Sequence, residues 1–503
     1  MKWHRSGLMY TLNELANEGH TYAQREQLIK KGMSLLDAKE PAIETALEKM
    51  LADNDLILDG DAIYLPSFFY AEQGTASKLL RLIQARPTRK VPPDLPLTEI
   101  ERASGLHYDE AQMDAIRQAA SSKVMVLTGG PGTGKTTVTQ GIIGVFRSAG
   151  LTVLLAAPTG RAAKRMTETT GLEAKTIHRL LEFKPPEGYQ RNEDNPLEGD
   201  ALILDECSMI DVVLMNSLLK AVPPGMRLIL VGDIDQLPPS VGPGNVLRDI
   251  IDSGCAAVVK LTKIFRQAQS SRIIMNAHHI NRGRYPDISN GRESDFFFLE
   301  DEDPEHIADQ IVDLVKRRLP KAYHVPPSSI QVLTLMQRGT VGATKLNILL
   351  QDALNPSPVY LTRSGMTYRQ NDKVIQIKNN YEKEVFNGDI GIIQKVDWED
   401  RTLSVQFDDR LIEYDGTELD ELTLAYATTI HKSQGSEYPI VVTLVLMTHY
   451  VMLQRNMLYT GITRAKKLLV LIGSKKALHY VVSNVTVSSR NTRLAERLRD
   501  LTE

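Results

Sequence analysis

Cysteine is scarce in this chain of 503 residues, which has only Cys207 and Cys255. Two thiols exclude a disulfide framework and are too few for a four-cysteine zinc or iron–sulfur site, so a reducing compartment fits. Long apolar runs are missing as well. The N-terminus has no signal-like apolar core, and no stretch approaches the roughly 20 apolar residues of a membrane span. A cytoplasmic protein with no membrane partner is expected. Neither sign of charge dominates: 59 basic and 62 acidic side chains give a net charge of −3. Any nucleic acid must then be held in a local groove and not by a generally basic surface. No repeat of solenoid length and no low-complexity segment is present.

What is there reads as a multidomain α/β chain, its length suiting roughly three to four domains. Residues 1–97 pattern as short amphipathic helices at 10–17, 24–30 and 42–52, followed by a strand pair at 56–58 and 62–65. Helices before a hairpin predict a helical, winged-helix-like domain, read here as scaffolding more than as a reader of duplex DNA. Pro87, Pro92, Pro93 and Pro96 mark a linker. Apolar runs at 124–127, 152–157, 201–204 and 227–231 then alternate with helical stretches, and a second series follows at 331–334, 425–428, 440–445 and 468–472. Both series predict parallel, doubly wound sheets. The expected division is 98–255 for the first α/β domain, with a polar insertion at 184–199, and 256–358 plus 425–503 for the second. Between them, 359–424 shows short strands and turn signals at Asn387–Gly388, Asp408–Asp409 and Asp415–Gly416, as in a small inserted β-barrel.

The sharpest motif is Gly129-Gly130-Pro131-Gly132-Thr133-Gly134-Lys135-Thr136, after a strand and before a helix. Glycines let backbone N–H groups turn toward phosphate oxygens, the helix N-terminus adds positive potential, Lys135 meets the terminal phosphates and Thr136 ligates magnesium. ATP and Mg²⁺ are the implied cofactors. The strand 201–204 ends in Asp205 and Glu206, at the carboxyl edge where such sheets bind ligands. Asp205 suits the metal and Glu206 the activation of water. Gln236, in the segment 232–239, suits a sensor of the γ-phosphate, although glycine, aspartate and proline there are also ordinary turn formers. His278 and His279 are adjacent on a helix with no acidic partner at ligand spacing, so a structural role is expected for them.

Taken in order, segments 128–137, 157–164, 176–181, 204–209, 231–239, 261–267, 428–437 and 459–465 resemble the RecD-like branch of superfamily 1B helicases, in the stand-alone form that works without RecB and RecC, and the likeness runs along essentially the whole chain. The resemblance implies two tandem RecA-like P-loop domains with an SH3-like barrel insertion. It gives Arg266 and Arg464 the role of arginine fingers, worth about 10³ to 10⁵ in rate in related phosphoryl transfers. It adds Gln112 as reader of the adenine, extends the nucleotide set to Thr137, Gly435 and Glu437, and makes 184–199 a strand-splitting hairpin, a segment equally compatible with a plain loop. Single-stranded DNA is expected across both sheets, at Pro158, Thr159, Arg161, His178, Arg179, Thr429, His431, Ser433 and Gln434, with Asn387 of the barrel nearby.

Longer family members carry N-terminal helix–hairpin–helix units ahead of the point where this sequence starts, so a short form or a truncated chain is expected. The implied activity is ATP-dependent 5′ to 3′ movement on DNA and unwinding at single-strand/duplex junctions with 5′ tails, in repair or recombination, by a monomeric motor with repair proteins as partners. Two rivals remain open: an RNA helicase or remodeller of the same superfamily, because phosphate and stacking contacts hardly distinguish the sugars, and an ATP-dependent clamp that does not unwind.

Overall fold

The computed structural model describes residues 2–408, 410–485 and 489–502, without the side chains of Lys2 and Arg266. Asp409, half of the expected Asp408–Asp409 turn, lies outside the described residues. Helices Lys2–Asn17, Arg25–Leu36 and Glu40–Ala52 enclose a core of Leu8, Leu12, Leu28, Ile43 and Leu47. Against it lies an antiparallel sheet in which Ala62–Tyr64 pairs with both Ile57–Asp59 and Tyr22–Gln24, one strand more than the sequence suggests.

A long helix, Pro66–Gln84, follows that the sequence reading did not anticipate. Pro66 opens it, where a missing N–H costs nothing. Its Ala76, Leu79 and Leu80 pack into one core with Leu214 and Leu218 and with Leu202 and Leu204 of the first α/β sheet.

That sheet is wholly parallel, in the order Ala257–Leu261, Val124–Gly129, Arg227–Gly232, Ala201–Leu204, Val153–Ala157, Ala174–Thr176. Its central strands are buried on both faces, between a layer with Leu202 and Leu228 and one with Ile203 and Ile229. Such two-sided burial is why the central strands are uniformly apolar. The second parallel sheet runs Phe296–Glu300, Ala465–Gly473, Tyr438–Val445, Ile330–Thr334, Ala427–Thr429. Two packed layers flank it, one with Val441 and Leu469, the other with Val442 and Val470.

Between Ile330–Thr334 and Ala427–Thr429 an antiparallel sheet is inserted, in the order Arg410–Tyr414, Thr402–Phe407, Ile390–Asp397, Lys373–Gln376, Leu422–Leu424. Together with the hairpin Tyr360–Arg363/Met366–Arg369 it closes around Tyr368, Val374, Leu403 and Tyr414. Asp372 pins this module to the second α/β domain: fully buried, it accepts from Gln351 Nε2 (2.6 Å), Asn355 Nδ2 (2.8 Å) and Tyr426 Oη (2.8 Å).

The end of the chain leaves the second sheet. Helix Leu494–Asp500 lies against Val246–Ser253 and Pro66–Gln84, with Leu494 and Leu498 in the first domain's core.

Candidate active site and nucleic-acid groove

The phosphate loop follows the buried strand Val124–Gly129 and leads into helix Lys135–Ser148. Gly132 (φ 72°) and Gly134 (φ 87°) have left-handed backbones, which glycine adopts at little cost. A Cβ at Gly134 would stand 2.5 Å from Gln112 Nε2, so the proposed adenine-reading amide abuts the loop. Gln112 is held there by a reciprocal cap: its Oε1 accepts from Asp109 N (3.1 Å) and its own N–H donates to Asp109 Oδ1 (2.9 Å).

Opposite the loop, Asp205 and Glu206 end the strand Ala201–Leu204. Glu206 has φ 53°, a conformation costly for a residue with a side chain. Burial, and then the charge of Glu206, raise the Asp205 pKa to about 6. Burial also pushes the Glu206 pKa upward, but Arg165 and Arg464 outweigh it and bring the net shift below the ordinary value. Buried Asp233 accepts from Tyr459 Oη at 2.7 Å and from Gln236 Nε2 at 3.4 Å.

The second domain completes the cleft, a cavity of about 440 Å³ lined by Gly130–Gly132, Gly134–Thr136, Asp205, Glu206 and Gln236 from one side and by Glu437, Arg464 and Lys466 from the other. Arg464 is 2% exposed and donates to Thr460 O (3.2 Å), Ser436 O (3.1 Å) and Thr463 Oγ1 (3.3 Å), contacts that fix its guanidinium at the cleft wall. Bonds that cross the seam include Leu237 N to Thr460 Oγ1 (3.0 Å), Asn281 Nδ2 to Asp235 Oδ2 (2.7 Å) and Gln434 Nε2 to Leu237 O (2.9 Å). His278 Nε2 lies 2.8 Å from Pro131 O, and because a carbonyl only accepts, this nitrogen carries the proton. His278 therefore braces the phosphate loop, in keeping with the structural role expected of it.

Not every expected nucleotide contact lines this cleft. Gln112, Thr133 and Thr137 do not, and Gly435 lines a neighbouring cavity, where a Cβ would come 3.0 Å from Thr159 Oγ1. Arg266 opens the helix Arg266–Gln269, and its side chain lies outside the described ones. The sequence motifs do not mark Arg165 or Lys466 of the cleft. Arg165, in a run that resembles a solvated helix face, pairs with Glu206 and, at 2.8 Å, with Glu437.

Along the tops of both sheets runs a groove of about 380 Å³, lined by Pro158, Thr159, His178, Asn387, Thr429, His431 and Gln434 among others. Burial depresses the pKa of both His178 and His431, with Arg490 adding to the effect at His431. Neutral imidazoles there can donate or accept. Arg161 and Arg179 line an adjoining cavity between the first domain and the barrel. Ser433 does not reach the groove: it is fully buried and its hydroxyl donates to Ile430 O at 2.7 Å, so it braces the loop from within. His178, Phe183, Tyr189, Tyr381 and Phe386 form one aromatic cluster, with Phe183 and Tyr381 centroids 4.4 Å apart, and it meets the groove at His178 and Phe386. Within the insertion at 184–199 only a two-residue-per-strand hairpin forms, Phe183–Lys184 with Gly188–Tyr189.

Comparison with known proteins gives this geometry a family. Residues 112–243 match the AAA domain, 346–407 the ATP-dependent RecD-like DNA helicase SH3 domain and 424–472 the UvrD-like helicase C-terminal domain. The chain is 30% identical over 491 residues to the RecBCD enzyme subunit RecD of Mycolicibacterium smegmatis, covering 88% of this chain and 83% of that protein. The chain belongs to the RecD-like helicase family. A further RecD-like relative, the ATP-dependent RecD2 DNA helicase of Deinococcus radiodurans, is 37% identical over 495 residues, covering 96% of this chain and 66% of its own length, so the chain spans just under two thirds of that relative. Among solved structures, Pif1 helicase from Candida albicans aligns at 18% identity and a TM-score of 0.46, over 79% of this chain and 99% of that one. The RecD-like barrel matched at 346–407 is the module that supplies Asn387 and Phe386 to the groove.

Proposed function

We propose that this RecD-like chain is an ATP-driven DNA helicase that moves 5′ to 3′ on single-stranded DNA and opens duplexes carrying 5′ tails. The observation that carries the reading is the cleft itself, where Lys135 and Glu206 of one RecA-like domain face Arg464 of the other. A triphosphate there would touch both domains, so hydrolysis alternately favours and releases their closure. Lys135 and the loop N–H groups bind phosphates, Glu206 takes the proton of the attacking water, and Arg464 stabilises charge on the γ-phosphoryl.

Magnesium fits the residues present. Thr136 and Asp205 share the cleft, and Asp205 with Glu206 beside it sets two carboxylates where a divalent cation would be held. Among the described residues no three acidic, histidine or cysteine side chains form a cation cage. When bound, the ion would neutralise β- and γ-phosphate charge.

The groove supplies hydroxyl, imidazole and amide groups suited to a sugar–phosphate backbone, with adjoining aromatic rings for bases. No described helix is long and apolar enough to cross a membrane. Cytoplasmic placement, action as a monomer and work beside repair proteins belong to the same proposal. Forked substrates test it: ATP-dependent unwinding of a 5′-tailed DNA fork and not of a 3′-tailed one is expected. Equal unwinding of both would remove the polarity, a preference for RNA forks would support the remodeller, and ATP-dependent binding without strand separation would support the clamp.

A further inference from the structure

Helix Gly160–Thr170 runs from the groove to the cleft. Its N-cap is Thr159, whose Oγ1 accepts from Ala162 N at 3.2 Å and which also lines the groove. Ala162, Ala163 and Met166 are buried and fix the rotation of the helix, so Arg165 is directed at the cleft. Arg165 stands six positions after Thr159, about 9 Å along a helix.

Arg165 joins acidic groups of the two domains. Its guanidinium takes Glu206 Oε1 on one side and Glu437 Oε1, at 2.8 Å, on the other. Glu437 is also held by Lys466 at 3.2 Å, while Asp205, Lys135 and Arg464 complete the charged surroundings of Glu206. With one oxygen held by a guanidinium that is also tied to Glu437, the Glu206 carboxylate is a weaker acceptor for a proton from water. The N-terminal end of the same helix is crowded by the barrel and the second domain: a Cβ at Gly160 would meet Asp389 Oδ1 at 3.0 Å, and one at Gly435 would meet Thr159 Oγ1. A strand entering the groove would lie against Thr159, the end of the helix that leads to Arg165.

We propose that Arg165 is a positioning residue through which strand occupancy of the groove reaches Glu206: without a strand it holds the carboxylate against Glu437, and a bound strand withdraws it. The proposal rests on the reading of Glu206 as the group that activates water. It makes nucleic-acid stimulation of ATP hydrolysis a release of one ion pair and not the assembly of a new group.

The test compares steady-state ATP hydrolysis of the full chain with and without a saturating oligo-dT strand, for wild type, Arg165→Ala, Arg165→Lys and Glu437→Gln. For Arg165→Ala the strand-free kcat should rise and the stimulation ratio fall by at least about fivefold, the low end of allosteric coupling between sites, with the KM for ATP little changed. Glu437→Gln should move the ratio in the same direction, and Arg165→Lys should recover part of it, since lysine keeps the charge but loses the fork. An Arg165→Ala chain whose two rates fall together, or whose ratio stays at the wild-type value, would overturn the proposal. Failure of the underlying reading looks different: Glu206→Gln would then hydrolyse ATP at a normal rate whatever Arg165 does.

Discussion

Glu206 leaves a buried strand with its backbone at φ 53°, which turns the carboxylate out of the sheet toward Arg165 and the phosphate loop. The role of base proposed for it needs a carboxylate and not merely a polar group there. Glu206→Gln should therefore bind ATP with near wild-type affinity while hydrolysis falls by about 10² to 10⁴, the range for losing a positioned general base; equilibrium binding beside turnover checks both halves. A second residue, Asp249, bears on pH. It is buried, and burial first, with the charges of Glu72 and Asp252 adding to it against a hydrogen bond from Thr492, raises its pKa to about 7. An unfolded aspartate titrates near about 4. Because the folded value is the higher, the contribution to stability is complete below about pH 4 and is lost as pH rises to 7. Asp249→Asn should thus stabilise the chain more at pH 8 than at pH 5, by on the order of 1 kcal/mol or more, since each pKa unit is worth about 1.4 kcal/mol. Urea melts at the two pH values check this, and an equal effect at both would contradict it.

At the scale of elements, the capping box on helix Glu110–Ser121 ties helix stability to the placement of Gln112, the residue proposed to read the adenine. Asp109 also receives Lys263 Nζ at 2.8 Å, so one side chain caps a helix, pairs with a lysine and fixes Gln112. Asp109→Ala should cost about 1 kcal/mol in stability and raise the KM for ATP with little change in kcat; a changed kcat at constant KM would detach Gln112 from nucleotide binding. The elements also show why parts of the chain are legible in sequence and others are not. Central strands such as Leu202–Leu204 are buried on both faces and read as unbroken apolar runs. The strands that the sequence hides, Ala174–Thr176, Ala257–Leu261 and Phe296–Glu300, lie at sheet edges, where one side meets other surroundings and the pattern weakens. Helix Pro66–Gln84 is hidden for a related reason: its buried face is defined only by the domain on which it docks. Motif residues are legible because phosphate chemistry fixes their spacing. Arg165 has no such spacing, and its meaning depends on two carboxylates 41 and 272 residues away that only the fold brings together.

For the whole molecule, the closing segment of the chain works as a strap. Arg490 donates to Gly244 O and Pro239 O, Thr492 reaches both Glu72 and Asp249, and Arg497 Nε meets Glu72 Oε1 at 3.0 Å. Glu72 is fully buried and also accepts from Thr21 and Tyr64, so the strap ties the N-terminal helices, the first α/β domain and the tail into one body. Removing one partner of a buried pair leaves an uncompensated charge, and Arg497→Ala should destabilise that body by about 3 to 5 kcal/mol. A thermal melt unchanged by the substitution would show that the strap is not structural. The second domain is joined to this body mainly through the seam, and the seam is where the account is most exposed. Single-turnover hydrolysis by Arg464→Ala, measured beside its affinity for ATP and for oligo-dT, tests it most directly. Binding of both ligands close to wild type with hydrolysis slowed by about 10³-fold or more is predicted for a guanidinium lent across the cleft; turnover near the wild-type rate would mean that the second domain gives nothing to the chemistry.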